Sequence, residues 1–215
     1  MLAALARAMS LPPRQANRLA RAAGLRPLYP EHDLDDSAVG ALRTALEAML
    51  RAHMPLPAVV TDPAWRVVRA NPAFAALSEY LAGFTERAPG EGSLLEWLFA
   101  ADGLRPLVRN WDEVGPLLLE RVREEAVQHP DLDDLVDRLE RLAADAGAAA
   151  QPSLPDDRPV LTLNLAAGGR EFRLFSVVAR FGSALDANMD ALRIEYFFPE
   201  DATTRIRIDQ LLECQ

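Results

Sequence analysis

The chain has no lysine, one cysteine and three histidines in 215 residues. With Cys214 alone, an intrachain disulfide is excluded. The histidines, His32, His53 and His129, share no HxxxH or His-Cys spacing, so no structural metal site is expected. No uncharged apolar run is long enough to span a bilayer, and the apolar stretch before Arg7 is too short for a signal peptide, so a cytoplasmic protein with no membrane partner is expected. All the basic residues are arginine, which reads as composition bias rather than function. Catalytic signatures are equally sparse. Gly168-Gly169 lacks the flanks of a phosphate loop and reads as a hairpin turn. The carboxylate pairs Asp133-Asp134 and Asp156-Asp157 fit a helix surface and a loop, and Ser176 has no nucleophile-elbow context. An enzyme is not expected, and no catalytic residue is assigned.

What is present is a globular composition, half hydrophobic and a quarter charged, with net charge −9. That balance disfavours nonspecific binding to nucleic acid. The charge is uneven. The first 30 residues carry five arginines (Arg7, Arg14, Arg18, Arg21, Arg26) and no acid, which separates an N-terminal part from the rest.

Hydrophobic periodicity orders the chain. Leu2, Leu5 and Met9 share a helical face, and Pro12 or Pro13 opens a second short helix ending near Gly24. Two such helices cannot bury a core alone, so this stub must pack on something else. Residues 25–36 read as a linker. Val39, Leu42, Leu46, Met49 and Leu50 mark an amphipathic helix over Ser37–His53. Two strands, Leu56–Asp62 and Trp65–Asn71, flank a Thr-Asp-Pro-Ala turn. Asn71 caps a helix containing Phe74 and Leu77. Leu94–Phe99 is a short apolar helix or turn, and helices are expected over Trp111–Gln128 and from Pro130. Ala143–Asp157 has no pattern and reads as a loop. The period then becomes two, giving strands around Leu161–Leu165, Glu171–Phe181 and Leu192–Phe198. The second, apolar on both faces, is expected to be central. The fold class is α+β: an antiparallel sheet of about five strands, helices inserted between the second and third, and an N-terminal helical stub. The division expected is 1–30 stub and linker, 31–55 connecting helix, 56–200 the sheet-bearing domain and 201–215 a helical tail.

Four stretches, in order, carry a family resemblance. Ala4–Gly24 is similar to the last two helices of a helix-turn-helix domain. Pro57–Asn71 is similar to a strand pair ending in Asn. Leu94–Phe99 with Asn110-Trp-Asp-Glu-Val114 forms the third stretch, and Phe172–Ser176 through Leu192–Pro199 the fourth. Together they resemble the ligand-binding domain of MmyB-like transcription regulators, bacterial proteins of the XRE type. The resemblance implies a PAS-like fold and a small apolar or fatty-acyl effector, since a long-chain fatty acid occupies the pocket of at least one relative. It implies no other cofactor. DNA would be met through a helix-turn-helix whose front, with its recognition helix, is missing from this sequence. A pocket is expected between the sheet and the inserted helices, lined by Phe74, Leu77, Trp97, Leu98, Trp111, Leu118 and Phe175. Asn71 and Arg109 are candidate polar anchors, an arginine being able to grip a carboxylate bidentately. The alternative is a solid-cored module that dimerises through the Ser37–His53 helix. A homodimer is possible under either reading.

Overall fold

The computed structural model describes residues 1–90, 92–144, 160–182 and 185–213. Most of the expected Ala143–Asp157 loop, with Asp156-Asp157, and Cys214 lie outside them.

Helices α1 (Leu2–Ala8) and α2 (Pro13–Ala22) form the N-terminal stub. Pro13 opens α2, where a missing N–H costs nothing. The segment after α2 is not a free linker. Asn17, buried on α2, accepts from the backbone N–H groups of Leu28 and Tyr29 at 2.8 Å and donates to the Tyr29 carbonyl at 2.8 Å. One amide thus holds the returning chain against its own helix. A 3-10 turn capped by Asp36 then leads into α3 (Gly40–Ala52).

Strands β1 (Ala58–Thr61) and β2 (Val67–Ala70) pair around the Asp62–Trp65 turn. Next come α4 (Pro72–Ala82), α5 (Leu94–Phe99), α6 (Trp111–Gln128) and α7 (Asp133–Ala144). A capping box sets the start of α5: Ser93 accepts from the Glu96 N–H, and the Glu96 carboxylate accepts from the Ser93 N–H. Strands β3 (Leu163–Ala167) and β4 (Arg170–Ala179) form a hairpin through Gly168-Gly169. Both glycines have positive φ, as the tight turn requires. The chain closes with the short helix α8 (Ala187–Asp190), β5 (Arg193–Pro199) and α9 (Ala202–Glu213).

The five strands form one antiparallel sheet in the order β2-β1-β5-β4-β3. Helices fill the connection between β2 and β3, giving the expected α+β, PAS-like arrangement. One detail differs. The middle strand is β5, and β4 is one place nearer the edge. Both have apolar residues on both faces, although Val177 on the α3 side of β4 is exposed, so apolar content could not rank them.

The covered faces hold two cores. On one, α3 packs Leu46 and Leu50 against Val60, Ile194 and Tyr196. On the other, α4–α7 and α9 build a larger core around Phe99, Phe172, Leu174, Leu135 and Ile208. Alternation along β5 assigns its residues: Ile194 and Tyr196 face α3, whereas Glu195 and Phe197 face the larger helical layer. The stub docks beside this body. The Ala187 N–H donates to the Pro30 carbonyl at 2.9 Å, and the Asp186 carboxylate accepts from the His32 backbone and ring.

Candidate functional site

A cavity of about 150 Å³ lies between the helical-side face of the sheet and helices α4, α5 and α6. Phe74, Leu77 and Leu81 reach it from α4, Trp97 and Leu98 from α5, and Val114 and Leu118 from α6. Leu163 and Leu165 on β3, Leu174 on β4 and Phe197 on β5 form the floor. The Trp97 indole N–H is already spent on the Arg87 carbonyl at 3.1 Å, so this residue offers the cavity only its apolar surface.

Five of the seven expected lining residues meet here: Phe74, Leu77, Trp97, Leu98 and Leu118. Trp111 and Phe175 do not. Gly115 lets the Trp111 ring fold over its own helix, since a Cβ there would stand 2.8 Å from the indole. The ring packs edge-on to Phe99 at 4.9 Å. Phe175 has the opposite strand parity from Leu174 and Ser176. It stacks on Phe198 at 5.6 Å, on the α3 side of the sheet.

Neither expected anchor reaches the cavity. Asn71 is 2 % exposed and its side chain is fully committed. Its Oδ1 accepts from the N–H groups of Phe74 and Ala58, while Nδ2 donates to the carbonyls of Leu50 and Leu56. Arg109 is exposed, and its backbone N–H donates to the Asn164 carbonyl at 2.8 Å. The neighbouring Asn110 ties α6 to the approach to β3, donating to the Thr162 carbonyl at 2.7 Å and accepting from the Asn164 N–H.

The polar lining of the cavity comes from other residues: Trp65, Ser78, Arg121, Ser176 and Glu195. Trp65 is 3 % exposed, and its indole N–H has no hydrogen-bond partner among the described residues. Its φ is +61°, a left-handed conformation that costs a bulky residue about 1–3 kcal/mol. The turn imposes it. The Trp65 N–H donates to the Asp62 carbonyl, and the Trp65 carbonyl accepts from the Leu94 N–H at 2.9 Å, fixing the ring between the β1–β2 turn and α5. The guanidinium groups of Arg193 and Arg121 lie 5.0 and 5.5 Å from its ring centre, a cation–π clamp. In turn, Arg193 Nη2 stands 2.7 Å from the Glu125 carboxylate, close enough for strong pairing although poorly aligned for a hydrogen bond.

Glu195 is 6 % exposed. Burial pushes its carboxyl above the ordinary range, opposed by Arg121 and Arg193 and reinforced by Glu125. The folded chain therefore keeps this proton to a higher pH than the unfolded chain. Between those two pKa values the folded state binds more protons, so this group's stabilisation fades as pH rises. Glu195→Gln preserves shape and removes the titration. We expect its melting temperature to gain on wild type as pH rises above the ordinary glutamate range. Thermal melts over rising pH check this, and a difference independent of pH would contradict the burial of the carboxyl.

Sequence reasoning missed this polar lining. Trp65 reads there as an ordinary strand aromatic, although a tryptophan directly after Asp-Pro-Ala is unusual turn chemistry. Glu195 does carry a signal: an acid inside an otherwise apolar strand, Leu192-Arg-Ile-Glu-Tyr-Phe-Phe198.

The arrangement can hold a molecule with an apolar body and a hydrogen-bonding head. An apolar cavity of about 150 Å³ is large enough for benzene. Among the described residues, no helix is long and apolar enough to cross a membrane, and no group of three potential metal ligands forms.

Comparison with known proteins gives three findings. No curated protein matches in sequence. Among solved structures, the chain is similar to a LOV protein of Rhodobacter sphaeroides, at 13% identity and a TM-score of 0.34, over 75% of this chain and 70% of that one. It is also similar to an RNA-binding light-oxygen-voltage receptor, at 19% identity and a TM-score of 0.30, over 95% of this chain and 48% of the other. Likenesses this distant carry no functional argument. The MmyB-like transcription regulator ligand binding domain model matches residues 42–211, which include every element from within α3 into α9 and every residue lining the cavity. The chain belongs to the MmyB-like transcription regulator ligand-binding domain family.

Proposed function

We propose that this chain is the non-enzymatic effector-sensing part of an XRE-type helix-turn-helix regulator. It binds a small apolar or fatty-acyl molecule that modulates DNA binding by an attached domain. The observation that carries this reading is the apolar cavity whose lining includes the buried Glu195 and Trp65, the latter with an indole N–H that has no hydrogen-bond partner among the described residues. A ligand whose head accepts from Trp65 Nε1 relieves the cost of that orphaned donor.

Size supplies the switching principle. A cavity of about 150 Å³ accommodates a ring or a short acyl end, and a longer chain would extend through its mouth or widen the layer of α4, α5 and α6. An effector that favours the widened form moves the equilibrium by its difference in affinity for the two forms.

Calorimetric titration with straight-chain acids from butanoic to hexadecanoic, alongside simple aromatics, tests the proposal. Affinity should rise about fourfold for each added methylene until the cavity is full, then level off. Absence of saturable binding across the series would overturn the sensing role and leave a dimerisation module built on α3.

A further inference from the structure

A second cavity, of about 240 Å³, lies where the N-terminal stub meets the sheet. Its walls include Arg14 of α2, His129 after α6, Arg180 after β4, Asp190 of α8 and Arg193 of β5. Arg193 is 2 % exposed, yet its Nη1 has no hydrogen-bond partner among the described residues. The His129 Nδ1 is likewise buried and unpartnered. Three arginines and one carboxylic acid, Asp190, thus line the cavity, and burial pushes the Asp190 carboxyl towards its neutral form while Arg180 opposes. The balancing acids lie outside the lining: Asp131 pairs with Arg14, and Glu125 lies 2.7 Å from Arg193 and 3.7 Å from Arg180. A water molecule could satisfy the Arg193 donor, whereas an oxyanion would also meet the guanidinium groups of Arg180 and Arg14 that line the same cavity.

We propose that this junction cavity binds a compact oxyanion, the phosphoryl or carboxylate group of a small metabolite, through Arg193 Nη1, Arg180 and Arg14. Guanidinium forks match both groups in geometry and charge. The occupant would bridge the stub, through Arg14, to the middle strand, through Arg193. Since Arg193 also lies over the Trp65 ring at 5.0 Å, it stands between this cavity and the apolar one. A ligand here and a ligand there would then alter each other's affinity by the same factor. The anion site itself does not depend on what the apolar cavity holds.

The test is calorimetric titration of the full chain with sodium phosphate and, separately, sodium acetate, against sodium chloride at matched ionic strength. Saturable binding of at least one oxyanion, with a Kd of about 1 mM or tighter, is expected. Phosphate alone identifies a phosphoryl group, acetate alone a carboxylate, and both a general oxyanion site. Arg193→Gln removes the free donor but endangers the fold, so Arg14→Gln and Arg180→Gln, which alter partly exposed side chains, carry the test. Each should weaken binding about tenfold or more. No binding beyond the chloride control, or undiminished binding in the double variant, overturns the proposal.

Discussion

Replacing Ser176 with leucine is expected to abolish ligand binding while raising thermal stability. Ser176 lies on β4 in register with Phe197 of β5, and both residues line the apolar cavity. Its side chain leaves the sheet on the same face as Leu174. A leucine there extends into existing space, so the overpacking cost of a filled core does not apply in full. Each buried methylene contributes about 0.8 kcal/mol, giving a net gain of about 1–2 kcal/mol. In a chain of this length that raises the melting temperature by about 2–8 °C. A ligand loses its room at the same time, and its affinity should fall by about 100-fold or more, since it must expel the leucine or widen the layer. Scanning calorimetry and ligand titration read the two effects. A variant that is destabilised yet binds normally would mean that Ser176 faces packed side chains instead of a cavity.

The second large effect is expected at Asn71, and it concerns the fold. Asn71→Ala removes all four side-chain hydrogen bonds at once. It deletes the N-cap of α4 and leaves buried backbone groups of α3, β1 and the chain between them unpaired. Losing a cap costs about 0.5–2 kcal/mol, and each orphaned buried group adds about 1–3 kcal/mol before relaxation. We expect a net loss of about 3–5 kcal/mol, or about 10 °C in melting temperature. Asn71→Asp should not restore it, because a carboxylate cannot donate to the Leu50 and Leu56 carbonyls. Melting curves of the two variants decide this. Aspartate behaving like wild type would show that capping alone matters.

These two residues also show where the sequence stops being readable. That Asn71 caps a helix is legible, because Asn before Pro at the start of an apolar period has a local mechanism. Its grip on Leu50 and Leu56 is tertiary and leaves no local trace. The strands were legible as a period of two, but not their facing. β4 is apolar on both sides, so nothing local decided whether Phe175 or Leu174 met the inserted helices, and a one-residue shift in parity exchanges the two. Phe175 was accordingly placed on the wrong face. The helix Trp111–Gln128 was legible from Val114, Val122 and Ala126. The side-chain direction of Trp111 was not, since it depends on the space that Gly115 leaves beneath the ring. Trp65 was hidden for a related reason: its left-handed backbone, rather than strand alternation, aims its ring.

The central claim is that the cavity between the sheet and α4–α6 holds an effector. Denaturing extraction of the purified protein, followed by mass spectrometry of what is released, tests it most directly. One apolar small molecule, released in near-stoichiometric amount from wild type and lost from Ser176→Leu, is the predicted result. The same molecule released equally from both proteins would contradict the account.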